Sequence, residues 1–356
     1  MEGFSVIKRL PVNGKKCYVL PVNVKDEGKI PCLKHEGVNL EVVEEVMYLG
    51  NMFNSKGNNK CKIEDRVSKA RTCMVESLAL CSEITLGVYI VPSMLLTHNM
   101  MFIPTLLYGA QTWTNLTVED SRRIKTLQLQ YLKRMLRVPS STSNSVILLE
   151  LGVMPVLFEM DILKLMFLHH ILTMTDDDPV KCTYNEQLRI PEEKNWANEV
   201  KSLRSKYEIM DDDAEIMTLS KDEWKTTVQD QVRAVVIETL NEEKNNLSKS
   251  SVYPDAETLK PAKYIYHFTV HHACILFRVR SRIVDVKELH QYKYGDNNIC
   301  RCCGASQETL QHVFNVCPAL ASDACNVGDE FSEEISVLEK VVRRVEEFQK
   351  RVEESE

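Results

Sequence analysis

Residues 300–317 read CRCCGASQETLQHVFNVC and hold four cysteines and one histidine. Cys300 and Cys303 stand two residues apart, His312 follows after eight, and Cys317 after four more. Thiolate and imidazole are the donors that tetrahedral zinc takes. A C-x2-C pair lets one tight turn present two sulfurs to one ion, and Gly304 follows it here. The last two donors are five residues apart, about one helical turn, which a short helix with a distorted end accommodates. Cys302 is a spare thiol that competes with Cys303, but the two-residue spacing favours the Cys300–Cys303 pair. Four donors from the chain fill a tetrahedron, so the expected role of Zn2+ is structural. A thioredoxin-type redox pair would want a βαβ setting, which the surrounding pattern lacks, and a disulfide would want export.

Three groups of basic residues are spaced to meet a phosphate backbone. Lys62, Arg66 and Lys69 share one helical face; Arg123, Arg134 and Arg137 lie with Gln130 in a narrow arc of another. Arg278, Arg280, Arg282 and Lys287 sit in FRVRSRIVDVK, just before the cysteine cluster. A solvated surface is the ordinary reading of such a face taken alone. The net charge of −7 is unevenly spread: residues 323–356 hold eleven acids against five bases, leaving the first 322 residues near neutral. Local basic faces therefore remain available, and weak, salt-dependent binding to RNA or another single-stranded nucleic acid is expected. His169 and His170 have no Cys or Asp at metal spacing and read as core or boundary residues.

The elements that carry these groups are mostly helices. Residues 1–58 read as strands and turns, with β-rich KKCYVLPVNV and a loosely alternating VNLEVVEEVMYLGNMF before the turn NSKGNN. From Lys60 the period turns helical, with Ile63, Val67, Ala70, Met74, Leu78 and Cys81 in one apolar stripe. Thr117 is the expected N-cap of a second helix, with Glu119 and Asp120 in its first turn and Ile124, Leu127, Tyr131 and Met135 facing inward. LFEMDILKLMFLHHILTM is a third, very apolar helix. TMTDDDPVK marks a break near residue 176, followed by helical segments at about 192–206, 221–243 and 257–280, with Trp196 and Trp224 anchoring small cores. The tail from Phe331 is an amphipathic helix with Ile335, Leu338, Val342, Val345 and Phe348 on one side, a possible protein-docking element.

With 44% hydrophobic and 27% charged residues, the 356-residue chain has the balance of a folded protein of two or three domains. MEGFSVIKRLPVNGKK lacks an apolar leader core, and twelve cysteines without an export signal imply a reducing compartment. The expectation is an intracellular protein, nuclear or cytoplasmic, not secreted. LGVYIVPSMLLTHNMMFIPTLLYG is long enough to span a bilayer, but Pro92, Pro104 and a polar Thr97-His98-Asn99 centre argue instead for a buried helix broken by two prolines. No membrane partner and no small-molecule substrate are expected.

Several stretches resemble one family. VMYLGNMFNSKG, KIEDRVSKARTCM, IPTLLYGAQTWT and RIKTLQLQYLKRMLRV look like the segment after the palm in non-LTR (LINE-type) retrotransposon reverse transcriptases. There a YLG strand closes the palm, and an R-I-x-x-A helix and an LLYG-x-E-x-W block follow within the thumb; Gln111 stands where that family often has Glu. FRVRSRIVDVKELHQYKYGDNNICRCCGASQETLQHVFNVCP resembles the family's linker and CCHC zinc knuckle, and the likeness spans about residues 35–318. It implies a mainly α fold: a β-rich palm remnant at 1–58 with a short hairpin, a helical thumb-like bundle at 59–175, a helical linker at 176–298, a small zinc knuckle at 299–318 and an acidic amphipathic helix at 319–356. Polymerisation needs carboxylates that hold two divalent ions. The family's F/Y-x-D-D pair, upstream of YLG, has no counterpart in the 47 residues before Tyr48. YEIMDDDAEIM at 207–217 imitates the pair but lies downstream, where a solvated acidic turn is the ordinary reading. The expectation is a truncated, catalytically incomplete, non-enzymatic remnant that keeps nucleic-acid-binding and zinc-binding parts. The alternatives are a structural or protein-interaction helical protein with a purely structural zinc, and the C-terminal piece of an active RNA-directed DNA polymerase.

Overall fold

A computed structural model describes residues 13–24, 30, 32–35, 37–84, 90–190, 194–247 and 249–355. Residues 1–12 of the leader reading, residues 86–89 of the apolar stretch, and residues 192–193 of an expected helix lie outside them. The fold is mainly helical, with small two-stranded sheets near the N-terminus.

Strand β1 (Tyr18–Val19) pairs in parallel with β4 (Glu41–Val42), and β2 (Lys34–His35) pairs antiparallel with β3 (Val38–Asn39). Strands β5 (Glu45–Tyr48) and β6 (Asn51–Asn54) form a hairpin with Tyr48 opposite Asn51. Of the YLG stretch, Tyr48 ends strand β5, as expected, while Leu49 and Gly50 form a turn and not a continued strand. Leu49 and Gly50 both take positive φ, 46° and 76°, as the two-residue turn that matches strand twist requires. The alternating apolar pattern on both sides concealed it. Arg66 donates to the Gly50 carbonyl and the Tyr108 hydroxyl to that of Leu49 at 3.0 Å, so YLG, the first helix and LLYG meet in space.

Helix α1 (Lys60–Ile84) buries Ile63, Ala70, Met74 and Cys81 of the expected stripe. Helix α2 (Ile90–Thr97) runs into a π turn, His98–Phe102, and a last helical turn, Ile103–Leu106. The apolar segment is therefore distorted at its polar centre; its prolines lie in the opening turns of the flanking pieces. Pro104 offers no N–H, and the bond from Ile103 N–H to the His98 carbonyl spans five residues, the wider π spacing. Among the described residues no helix is long and apolar enough to cross a membrane.

Helix α3 (Val118–Met135) starts on a reciprocal capping box between Thr117 and Asp120 and buries Ile124, Leu127, Tyr131 and Met135. After α4 (Asn144–Glu150) comes α5 (Val156–Leu172), which is buried almost all round and acts as the axis of the bundle. Its polar residues are paired accordingly: Asp161 accepts from the Tyr207 hydroxyl at 2.5 Å and from Lys206 at 3.0 Å, and fully buried Lys164 pairs with Glu199. Helices α6 (Pro179–Leu188), α7 (Trp196–Lys206), α8 (Asp213–Thr218) and α9 (Lys221–Asn245) follow.

Packing crosses the break near residue 176. Trp196 donates to the Gln111 carbonyl at 2.7 Å and Trp224 to that of Leu165 at 2.9 Å, and both tryptophans belong to one continuous core with α5, instead of anchoring small cores of their own. The expected helix at 257–280 is shorter: a 3-10 turn Lys263–Tyr266 precedes α10 (Val270–Arg280). The Asp-rich imitation of a catalytic pair has structural employment. Asp212 caps α8 by accepting from the Ala214 N–H, and Asp213 pairs with buried Arg204 at 2.6 Å. Helix α11 (Ile335–Ser355) closes the chain. Its apolar face, with Leu338, Val342, Val345 and Phe348, is buried against α10 and the knuckle. That corrects the expectation of a docking helix for a protein partner through this face: the partner surface is its own chain.

Candidate metal centre

The cluster is assembled from two short pieces. An antiparallel bridge between Ile299 and Gln307 sets the chain into a loop, in which Gly304 adopts φ +65° and its N–H bonds the Cys300 carbonyl at 2.9 Å. This turn brings in Cys300 and Cys303. The other pair comes from a π turn, His312–Val316, with Cys317 N–H bonded to the His312 carbonyl at 2.9 Å. A π turn closes over five residues, the spacing of His312 and Cys317, which explains how two donors so spaced face one point.

The donor atoms of Cys300, Cys303, His312 and Cys317 all lie within 4.8 Å of one another. The Cys300 and Cys317 sulfurs are 3.9 Å apart, and Cys303 Sγ is 3.3 Å from His312 Nε2. Zinc at usual bond lengths implies tetrahedral edges of about 3.8 Å between sulfurs and about 3.5 Å from sulfur to nitrogen. The cluster is geometrically suited to a single metal ion and fits a structural Zn2+. Cys302 turns away, its thiol donating to the Phe348 carbonyl at 3.7 Å on α11.

Burial pushes the Cys317 and Cys302 thiols up to about 12. Burial acts the same way on Cys303, but the N–H groups of Ala305 and Ser306 together with the Cys300 and Cys317 side chains outweigh it and hold that thiol below its ordinary value. Burial also lowers His312, so the ring is neutral and ready to ligate. Three thiolates around a dication would leave net negative charge in a buried place. Arg344, whose guanidinium bonds the Cys317 carbonyl, supplies opposite charge nearby.

Arg344 of α11 is 3% exposed. Its guanidinium donates to the carbonyls of Val313 at 2.9 Å, Leu320 at 3.1 Å, Ser322 at 2.7 Å and Cys317 at 3.3 Å. Glu308 is buried and accepts from the N–H of Lys287 at 3.0 Å and of Arg301 at 2.9 Å and from the Arg301 guanidinium. Arg301 packs over the Tyr294 and Phe348 rings. The knuckle is therefore tied to both residues 285–298 and α11. Sequence reasoning passed over Glu308 and Arg344. The signal for Arg344 was a lone arginine beside the apolar stripe of an amphipathic helix.

The basic groups fare unevenly. Arg66 is buried, bonds the hairpin turn and stacks on Tyr108. Arg280 is nearly buried and pairs with fully buried Glu150 at 2.7 Å, Arg282 pairs with buried Glu330 at 2.8 Å, and buried Lys287 donates to the Ile299 carbonyl at 2.8 Å. These four are corrections to the expected basic faces: their charges are spent inside the protein. Lys62 lies over the Phe53 ring, Lys69 pairs with Asp65, and Arg123 pairs with Glu119 and Glu64. Arg134 and Arg137 are exposed, and Arg278 donates to the Arg137 carbonyl at 2.9 Å, so the structure joins members of two groups that the sequence kept apart. His169 is a core residue, its Nε2 3.0 Å from the Leu219 carbonyl and its ring stacked on Trp224, while His170 is exposed.

Comparison with protein-family models, with curated proteins and with solved structures finds no match for this chain.

Proposed function

We propose that the protein is a non-enzymatic helical structural or protein-interaction protein in which zinc serves the fold. The closed donor set carries this reading: all four positions of a tetrahedron come from side chains, leaving no position for substrate. Arg344 and Glu308 then tie that centre to α11 and to residues 285–298. The internal use of Arg66, Arg280, Arg282 and Lys287 supports it too, because those charges are not offered to an external polyanion. The test is titration of zinc-loaded protein with single-stranded RNA across a range of salt. This reading expects no saturable, salt-sensitive binding.

A second reading is favoured by the contact of Arg278 with the Arg137 carbonyl, next to the exposed Arg134 and Arg137 side chains. On that reading the chain is a catalytically incomplete remnant of a LINE-type reverse transcriptase with a residual grip on RNA or DNA. The meeting of the YLG, α1 and LLYG stretches is in keeping with it. It expects binding that falls steeply with salt and weakens alike for all sequences in Arg134→Glu/Arg137→Glu, since backbone contacts carry little sequence information. Detection of that pattern would displace the structural reading.

A further inference from the structure

The four donors of the knuckle are not equally covered. Cys300 and Cys317 are 2% exposed and His312 is 6% exposed, whereas Cys303 is only half-buried. The chain leaves Cys303 through Gly304, Ala305, Ser306 and Gln307, all exposed, so solvent reaches the centre at this donor. The thiolate is the nucleophilic form of cysteine, and its oxidation follows exposure. We propose that Cys303 is an oxidation site for hydroperoxides, and that a disulfide from it to Cys300 or Cys317 opens the knuckle and frees α11. The proposal rests on the reading above, in which zinc serves the fold.

The chemistry balances with one peroxide. The Cys303 sulfur attacks one peroxide oxygen; an S–O bond forms, the O–O bond breaks, and a sulfenic acid and hydroxide result. The thiolate of Cys300 or Cys317 then attacks the Cys303 sulfur; the S–S bond forms, the S–O bond breaks, and the second oxygen leaves as hydroxide. Two thiolates are oxidised to a disulfide, and both peroxide oxygens end as water after uptake of two solvent protons. The geometry serves the second step. The donor atoms lie within 4.8 Å of one another, so an S–S bond of about 2.0 Å needs the sulfurs to close by no more than roughly 2.8 Å, which side-chain rotation supplies. Cys300 and Cys317 are shielded from solvent, which suits them to resolve the sulfenic acid and not to be attacked first. Cys302 is poorly placed for either role, because its thiol donates to the Phe348 carbonyl at 3.7 Å.

After the disulfide forms, His312 and one thiolate remain, and a closed structural site needs four donors. Loss of the donor set is loss of local fold. The effect reaches α11 through Arg344, which bonds the carbonyls of Val313 and Cys317 in and beside the π turn that presents His312.

The test uses the full zinc-loaded chain, hydrogen peroxide and a chromophoric chelator that reports released zinc. Dimedone traps the sulfenic acid and mass spectrometry places it. Dimedone should mark Cys303 before any other knuckle cysteine. Without dimedone, a disulfide that includes Cys303 should appear in step with zinc release and with new protease cuts in α11. Dithiothreitol and zinc should restore the resistant state. Cys303→His keeps a fourth donor and should release zinc at least about 10-fold more slowly, because the reaction starts from a thiolate. Cys302→Ser should release it at the wild-type rate. The dimedone map is read on the wild-type chain, so it decides the matter even where Cys303→His fails to fold. The proposal is overturned if Cys302 is marked first, if zinc is lost with no Cys303 disulfide, or if zinc is retained while the exposed Cys32 and Cys182 are fully oxidised. That last result leaves the structural role of zinc standing, whereas a chain isolated without zinc removes both.

Discussion

Arg344→Met isolates the contribution of the tail helix to the metal centre. The substitution keeps an apolar stem of similar length on α11 and removes one guanidinium that bonds four carbonyls, those of Val313, Cys317, Leu320 and Ser322. Hydrogen bonds from a charged donor each contribute about 1.5–3 kcal/mol, so four give a ceiling of roughly 6–12 kcal/mol. Two corrections reduce it. Relief of the buried charge returns several kcal/mol, and the carbonyl of Ser322, half-buried, regains water. A net loss of about 3 kcal/mol remains for local opening of the knuckle, which corresponds to a factor of about 100 in the opening equilibrium. Two readouts follow. Amide exchange at Cys317 and Leu320 should speed up about 100-fold, and zinc transfer to a chromophoric chelator should accelerate in step. The matched control is Arg343→Met, one residue earlier on the same helix, where an exposed arginine meets Glu339 at only 3.5 Å. It should shift either readout by less than a factor of about 2, as surface pairs do. Wild-type exchange and zinc transfer in Arg344→Met would refute the claim that α11 is part of the metal centre.

Gly152→Ala should lose about 3 kcal/mol or more in a urea titration, because its φ is +60° and a Cβ would fall 2.3 Å from the Lys260 carbonyl carbon. Gly37→Ala, with φ +77° and open space around it, should lose only about 1 kcal/mol. His98 is held near 4 by burial against about 6.5 when unfolded. Its folded value is the lower one, so its stabilising effect is full above about pH 6.5 and is lost as pH falls toward 4, by up to about 3 kcal/mol. Melting curves from pH 7 to 4.5 should therefore fall less steeply in His98→Phe than in wild type, and parallel curves would contradict the burial argument. Cys302→Ser should retain zinc, since its thiol faces the Phe348 carbonyl, as measured by elemental analysis of the purified variant.

The parts of this fold that were legible in the sequence are those where one local rule acts alone. The α1 stripe, the Thr117 cap and the tail's apolar face follow from helical period and end chemistry, and the donor set follows from spacing. What the sequence concealed depends on partners far along the chain. Arg280 and Arg282 looked like surface charge because their acids, Glu150 and Glu330, lie 130 and 48 residues away in the chain. The tail helix looked available because the face that covers it is built from α10 and the knuckle. The Leu49–Gly50 turn hid inside an alternating pattern because the usual Asn-Gly or Asp-Gly signal was missing. At the knuckle, the five-residue gap was readable as a distorted turn, but Glu308 and Arg344, which hold that turn in place, required the third dimension.

The central claim is that one zinc organises the knuckle and, through Arg344, the tail helix. The direct measurement is metal content by elemental analysis of protein purified under reducing conditions, joined to limited proteolysis before and after chelation. The account predicts about one zinc per chain, absent from Cys317→Ser, and cleavage confined to residues 299–355 once the metal is removed, with the α3–α5–α9 bundle intact. Protein that carries no zinc, or whose tail resists protease equally with and without it, would contradict the account.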